Sequence, residues 1–390
     1  MRFRDIAGEN GMFKDGDWIE KKDQDDNGNV RLIQLADIGA GYFKDKSDKR
    51  ITETKAIELN CTYLKKGDIL ITRLGEPLCK ACIFPYEGLY ITAVDIAILR
   101  IGLQEIDSKY LVYLINSPWF KDQVKQYESG TTRKRISRKN LDCIDMTFPP
   151  IAEQQRIVTR IEELFSELDS AVETLQKTKQ QLAVYRQAVL KVAFDSIGEF
   201  VPFGNIIESR LGKMLDKEKN NGNPELYLRN INVRWFSFDL SNLLEMRIEP
   251  VEFEKYSLKC GDLVVCEGGE PGRCAVWDKD STIYYQKALH RIRFTNGSNP
   301  KFYMYYLWLA TKTGRLSPFY TGTGIKHLTG QSLVKIPVPI CSRTIQDRLV
   351  LQIEYKLSVS ENIEKTIKEA LQQAEAMRQS ILKKAFEGRL

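Results

Sequence analysis

The chain has 390 residues, 43% of them hydrophobic, and a formal net charge of +6, which leaves room for two or three domains with real cores. No run approaches the roughly 20 apolar residues of a membrane span, and the opening MRFRDIAGENG lacks the apolar core of a secretory signal, so a cytoplasmic protein without membrane contact is expected. Eight cysteines, most set among apolar neighbours, do not amount to a disulfide framework, and reduced thiols are expected.

From residue 1 to about 148, short apolar runs such as VRLIQLADI and DILITRL alternate with Gly, Asp, Asn and Pro clusters. Such punctuation predicts short strands joined by turns. A helix is expected over 108–127, where Tyr110, Leu111, Leu114, Ile115, Phe120, Val124 and Tyr127 recur at helical spacing, with Pro118 as an interruption. This first domain therefore reads as mixed α/β.

Residues 149–198 change character. From Ile157 the chain steps by four and three through Ile161, Leu164, Leu168, Ala171, Leu175, Thr178, Leu182, Tyr185, Val189 and Val192, with charged and amide residues between. That is a heptad seam. Roughly 40 helical residues make a rod of about 60 Å, longer than a compact domain requires, and suited to a spacer or docking platform.

A Gly- and Pro-punctuated link over 194–204 follows, and the order of features then begins again. Leu64-Lys-Lys-Gly67-Asp68 returns as Leu258-Lys-Cys-Gly261-Asp262, 194 positions later, and each copy runs through a strand to a Gly-Glu-Pro turn, at Gly75 and Gly269. IQLADIGAGYF (33–43) resembles LRNINVRWFSF (228–238) at an offset of 195, and Gly130-Thr131 with Lys134 and Leu141 returns as Gly322-Thr323 with Lys326 and Leu333 at an offset of 192. A second long helix over 343–390 matches the first at the same 192, ending in a shared R-Q-x-x-L-K-x-A-F, with Ile353, Ile367 and Ile381 on its seam. The chain is a tandem: domain 1–148, helix 149–198, domain 199–342, helix 343–390. Two amphipathic helices in one chain most simply bury their stripes on each other, parallel or antiparallel. Similarity concentrates in turns and helix ends, while KAIELNCTYL and EMRIEPVEFEKYSL share little. Similar scaffolds with different loops suit the reading of two different sequences in one linear ligand.

Several chemistries lack their residues. No G-x-x-x-x-G-K-[ST] phosphate loop is present, and Phe148 before the Pro149-Pro150 pair breaks the Asn-Pro-Pro-aromatic pattern of amino-methyltransferases. His290 and His327 stand without an informative Ser or Asp spacing, so no catalytic residue is expected. Cys79-Lys-Ala-Cys82 has the spacing of half a zinc site but no second half, so no metal is expected either. The Gly-Glu-Pro turns fit a functional loop and a plain β-turn equally well.

Basic residues cluster instead. Residues 130–141, GTTRKRISRKNL, hold five basic side chains and no acid, and 301–350 hold seven against the single Asp347. The first cluster follows Gly and two threonines, whose hydroxyls and backbone N–H groups suit phosphates. Candidate DNA contacts are Thr131, Thr132, Arg133, Lys134, Arg135 and Arg138 in the first copy, and Arg229, Asn230, Arg234, Thr323, Lys326 and His327 in the second.

With PPIAEQQRIV leading into the central helix, the repeated helix endings, the L-K-x-G-D turns and the Gly-Thr loops, the chain resembles the specificity subunit of type I restriction-modification systems. The second helix start, ICSRTIQDRLV, keeps Gln346, Arg348 and Val350 but lacks Pro-Pro and Glu-Gln. The resemblance implies an α+β architecture: two mixed α/β target recognition domains separated by two long helices that pair as an antiparallel coiled coil. It implies a non-catalytic subunit reading a bipartite site in double-stranded DNA, one domain per half. It further implies two modification subunits binding S-adenosylmethionine, and restriction subunits using ATP and magnesium. A coiled-coil scaffold that does not read DNA is the alternative.

Overall fold

In the computed structural model of the protein, which describes residues 1–216, 218 and 220–390, both L-K-x-G-D stretches turn into a strand buried at every position, Ile69–Thr72 and Leu263–Cys266. The motif recurs for a reason local to the turn. Asp68 accepts from the backbone N–H of Lys65 at 2.7 Å and takes two bonds from the Arg100 guanidinium, each 2.7 Å. Asp262 repeats this with Lys259 at 2.7 Å and with Arg293 at 2.7 and 3.0 Å. A buried carboxylate satisfied on both oxygens closes the turn and ties it to the neighbouring strand.

The chain forms two compact units, Met1–Leu175 with Glu369–Leu390, and Gln176–Lys368. In the first, Ile69–Thr72 lies between Ala81–Ile83 and Ile96–Arg100, and Met12–Asp15 extends the antiparallel sheet beyond Ile96–Arg100. A smaller sheet sets Val30–Ile33 between antiparallel Arg50–Ile51 and parallel Tyr90–Thr92. The helix expected over 108–127 is two helices, Ser108–Asn116 and Pro118–Lys125. Ser117 ends one and caps the other, its hydroxyl accepting from Phe120 N–H at 3.3 Å, with Pro118 in the first turn, where its missing N–H costs nothing. Leu111, Ile115 and Phe120 pack with Ile69, Ile71 and Leu99 to make the core.

The second unit repeats the topology. Leu263–Cys266 lies between Cys274–Val276 and Leu289–Phe294, with Ile207–Leu211 beyond, and a small sheet sets Asn223–Leu228 between antiparallel Leu244–Ile248 and parallel Tyr284–Tyr285. The helix Pro300–Lys312 packs its Phe302, Tyr303 and Leu307 into the core. The stretch expected as a plain link contributes a strand, Phe200–Pro202, paired with Pro337–Pro339.

The long helices are Ile151–Asp195 and Arg343–Phe386, 45 and 44 residues. In the first unit Ile161 packs with Leu382 and Ala385, while Asp169 forms an ion pair with Arg378, whose guanidinium lies 4.8 Å over the Phe165 ring. In the second, Leu190 packs in a cluster with Val350 and Ile353, and Arg186 donates to Ser360 Oγ at 3.0 Å and Glu364 at 2.7 Å. Within each unit one helix rises in number where the other falls, so the pairing there is antiparallel. Of the seam positions, Ile161, Leu182, Ile353 and Ile367 are buried, whereas Leu164, Leu168, Leu175 and Ile381 are half-buried.

A buried glutamine fastens each helix start to its domain. Gln154 accepts from Asp107 N–H at 2.9 Å and donates to the carbonyls of Glu105 and Pro149 at 2.8 and 2.9 Å. Gln346, 192 residues on, accepts from Asn299 N–H at 2.7 Å and donates to the Cys341 carbonyl at 3.1 Å. The salt bridges Lys109–Glu162 and Lys301–Glu354, both 2.7 Å, repeat alongside. The glutamine thus persists where Pro-Pro is lost. Among the described residues no helix is long and apolar enough to cross a membrane.

Candidate nucleic-acid interface

The basic loops around 130 and 322 are one structural object built twice. Ser129 and Arg135 exchange backbone hydrogen bonds at 2.8 Å in both directions, closing a loop whose exposed tip carries Thr131, Thr132 and Arg133. Thr321 and His327 do the same, again at 2.8 Å, around Thr323, Gly324, Ile325 and Lys326. Gly130 and Gly322 sit at φ +93° and +94°, where a Cβ would lie 2.4 Å from the Arg133 carbonyl oxygen and 2.3 Å from that of Ile325. Only glycine fits both the torsion and the space. Past each loop a buried apolar residue, Ile136 or Leu328, enters the core, and a hydroxyl, Ser137 or Thr329, caps a single-turn helix.

The Gly-Glu-Pro turns belong to the same sites. Gly75 N–H donates to the Lys134 carbonyl at 3.0 Å, and Ile136 N–H to Arg73 at 3.0 Å. In the second domain Leu328 N–H donates to Glu267 at 2.7 Å, and a Cβ on Gly268 would lie 3.2 Å from the His327 ring. The Asn230 side chain crowds Gly269, its amide nitrogen 2.9 Å from where a Cβ would be, so Asn230 and His327 are brought to one turn. Glu270 there accepts from Trp235 Nε1 at 2.8 Å and from Arg273 at 3.2 Å. Burial alone would push the Glu270 carboxyl up, but these bonds and the nearby Lys312 hold it below the usual range. The sequence pointed to Glu270 only through its Gly-Glu-Pro turn and gave no role to Trp235 and Arg273, which the fold brings to it.

Charge is more compensated than the sequence suggested. Lys134 pairs with Glu128 at 2.8 Å, a hydrogen bond that holds its ammonium above the ordinary range. Arg135 pairs with Asp95 at 3.0 Å, and Arg138 with Asp15 at 3.2 Å while lying over the Phe13 ring. Arg229 donates to the Asn242 carbonyl at 2.8 Å, and Arg234 to Asp239 at 3.3 Å. Among the described residues Arg133 and Lys326 have exposed cationic side chains without an acid partner. Such cations are available to phosphate or base edges without first breaking an ion pair.

Other features are scaffold. Beneath the second loop, His290 Nε2 lies 3.1 Å from the Leu328 carbonyl and 3.3 Å from Glu267, and burial pushes the imidazole down despite both partners. Cys79 and Cys82 are buried, their thiols pushed up to about 11 and about 12, and among the described residues no cluster of three or more His, Cys, Asp or Glu could hold a metal. A cleft of about 1140 Å³ in the first unit mixes Lys44, Lys80, Lys121 and Arg378 with Glu162, Asp169 and Glu375, both signs together.

A sequence model of the type I restriction modification DNA specificity domain matches residues 8–182 and again 199–373. The EcoKI specificity subunit of Escherichia coli K12 is 23% identical over 306 residues, 73% of this chain and 66% of that one, so the match spans just under two thirds of that relative. A chain in a solved structure from work on complex assembly and conformational transition of the type I R-M system is 14% identical, with a TM-score of 0.76, covering 100% of this chain and 97% of that one. The HsdS subunit of Thermoanaerobacter tengcongensis is 15% identical, with a TM-score of 0.59 and coverage of 100% and 96%. At such identities the likeness is one of fold.

Proposed function

The chain belongs to the type I restriction modification DNA specificity family, and from that membership we propose that it is the non-catalytic, DNA-reading subunit of a type I restriction-modification complex. Residues 1–148 and 199–342 serve as two recognition domains, each reading half of a bipartite site in double-stranded DNA. Two modification subunits carrying S-adenosylmethionine and restriction subunits using ATP and magnesium supply the chemistry from other chains, in the cytoplasm.

One observation carries the reading. The two Gly-Thr loops share closure, glycine torsion and anchor, yet present different residues at their tips. A repeated frame with changed exposed side chains is what two independent readers of one duplex require, because the frame positions and the tips specify. Thr131, Arg133, Thr323, Lys326 and His327 face the DNA in this reading, with Asn230 beside them.

The test is exchange of residues 1–148 for those of a homologue in the full chain, purified with its modification subunits. Half of the selected site should change and the other half persist. A change in both halves defeats independent reading, and equal binding to every duplex leaves a scaffold that does not read DNA.

A further inference from the structure

The two loops align at a constant offset of 192 with the same closing bonds, and their tips differ in an ordered way. Thr131 and Lys134 recur as Thr323 and Lys326, whereas Arg133 is replaced by Ile325 at the same place, 192 residues later. Residues common to both tips have the chemistry of backbone contact, which carries no sequence information and so is the same in both halves. Three positions differ, Thr132/Gly324, Arg133/Ile325 and Arg135/His327, but Gly324 has no side chain and Arg135 is held by Asp95, so 133/325 is where both loops present a side chain free to make the halves differ.

Each side chain there suits a particular base. Arg133 is exposed and, alone among Arg133, Lys134, Arg135 and Arg138, has no acid partner among the described residues. Its planar fork of donors is free for the paired acceptors O6 and N7 of guanine. Ile325 is 74% exposed on a loop otherwise made of Thr, Gly, Lys and His. An aliphatic knob so placed finds one apolar group on the major-groove edge of a base pair, the C5-methyl of thymine. The tip is held for this. Its base is closed by two 2.8 Å bonds and the residue after the closing pair, Ile136 or Leu328, is buried, so the side chain is presented by a short, braced turn.

Resting on the reading of the domains as duplex-DNA binders, we infer that residue 133 and its counterpart 325 are specificity determinants. Arg133 demands a guanine at one base pair of the first domain's half-site, and Ile325 demands a thymine, through its methyl group, at one base pair of the second's.

The experiment selects random duplexes with the full chain assembled with its modification subunits, as wild type, Arg133→Ile and Ile325→Arg. Arg133→Ile should lose about tenfold or more of its guanine preference at one position and leave the rest of the site intact. Ile325→Arg should exchange thymine for guanine at one position of the other half. On the wild-type site, deoxyuridine in place of that thymidine should weaken wild-type binding about fourfold, the value of one buried methyl. The same replacement should leave Ile325→Arg indifferent, and 7-deazaguanine at the other position should weaken wild type but not Arg133→Ile. An unchanged preference at every position, or a uniform loss over all sequences, overturns the inference while the wild-type bipartite site still stands. A wild type that selects no site overturns the functional reading itself. Should a variant fail to fold, the base analogues on the wild-type protein decide, and no effect of either analogue overturns the assignment.

Discussion

Leu328 donates its backbone N–H to the carbonyl of Glu267 at 2.7 Å, fastening the second exposed loop to the strand end that precedes the Gly-Glu-Pro turn. The first domain repeats the bond between Ile136 and Arg73 at 3.0 Å. Loop and turn are thereby tied into one site in each domain.

Replacing Gly322 by alanine forces a side chain into φ +94° and against the Ile325 carbonyl. The expected cost is about 1–3 kcal/mol, borne locally. Hydrogen exchange should show the Thr321 and His327 amides losing protection while those of Ser129 and Arg135 keep theirs. Uniform destabilisation of both loops would contradict independent bracing.

Salt dependence separates free from paired lysines. Lys326 has no acid partner among the described residues, whereas Lys134 is held by Glu128 at 2.8 Å. Lys326→Ala should flatten the slope of log affinity against log salt by about 0.9, one phosphate contact. Lys134→Ala should flatten it less, because its charge is partly neutralised already. Equal changes would show that Glu128 releases Lys134 on binding.

Helix pairing should fail first where the seam is buried. Ile161 is fully buried beside Leu382 and Ala385, while Leu168 is half-buried. Ile161→Ala should cost about 2–4 kcal/mol and Leu168→Ala about 1 kcal/mol, read from denaturant midpoints. The reverse order would mean that the heptad spacing, rather than the packing, locates the seam.

Lys121 supplies a pH dependence. Its ammonium is tucked against the Leu78 and Cys79 carbonyls, and burial lowers its pKa from 10.5 to about 8. Between about 8 and 10.5 the unfolded chain holds a proton that the folded chain has released, so stability from this group rises with pH across that window. It is lost as pH falls through 8, where the buried charge costs most. Wild type should gain on the order of 2 kcal/mol over Lys121→Met between pH 8 and 10.5. Parallel stability curves for the two proteins would refute this.

Much of the architecture was legible because it is written locally and twice. Heptad spacing, the L-K-x-G-D turns, the Gly-Thr pairs and the 192-residue offset all act through neighbours in the chain, and they located both long helices and both loops. Pro118 likewise announced the break between two helices. Other features arise from residues far apart in the chain. Asp15, Asp95 and Glu128 neutralise Arg138, Arg135 and Lys134, leaving Arg133 and Lys139 without an acid among the described residues, and no local pattern foretells which acid a fold will carry to which base. The burial of Gln154 under Asp107, the meeting of Trp235 with Glu270, and the choice of Leu382 and Ala385 over Ile381 for burial against Ile161 were decided in the same way. Periodicity names the face a helix can bury, but only the opposing surface determines which residues on that face lose their water.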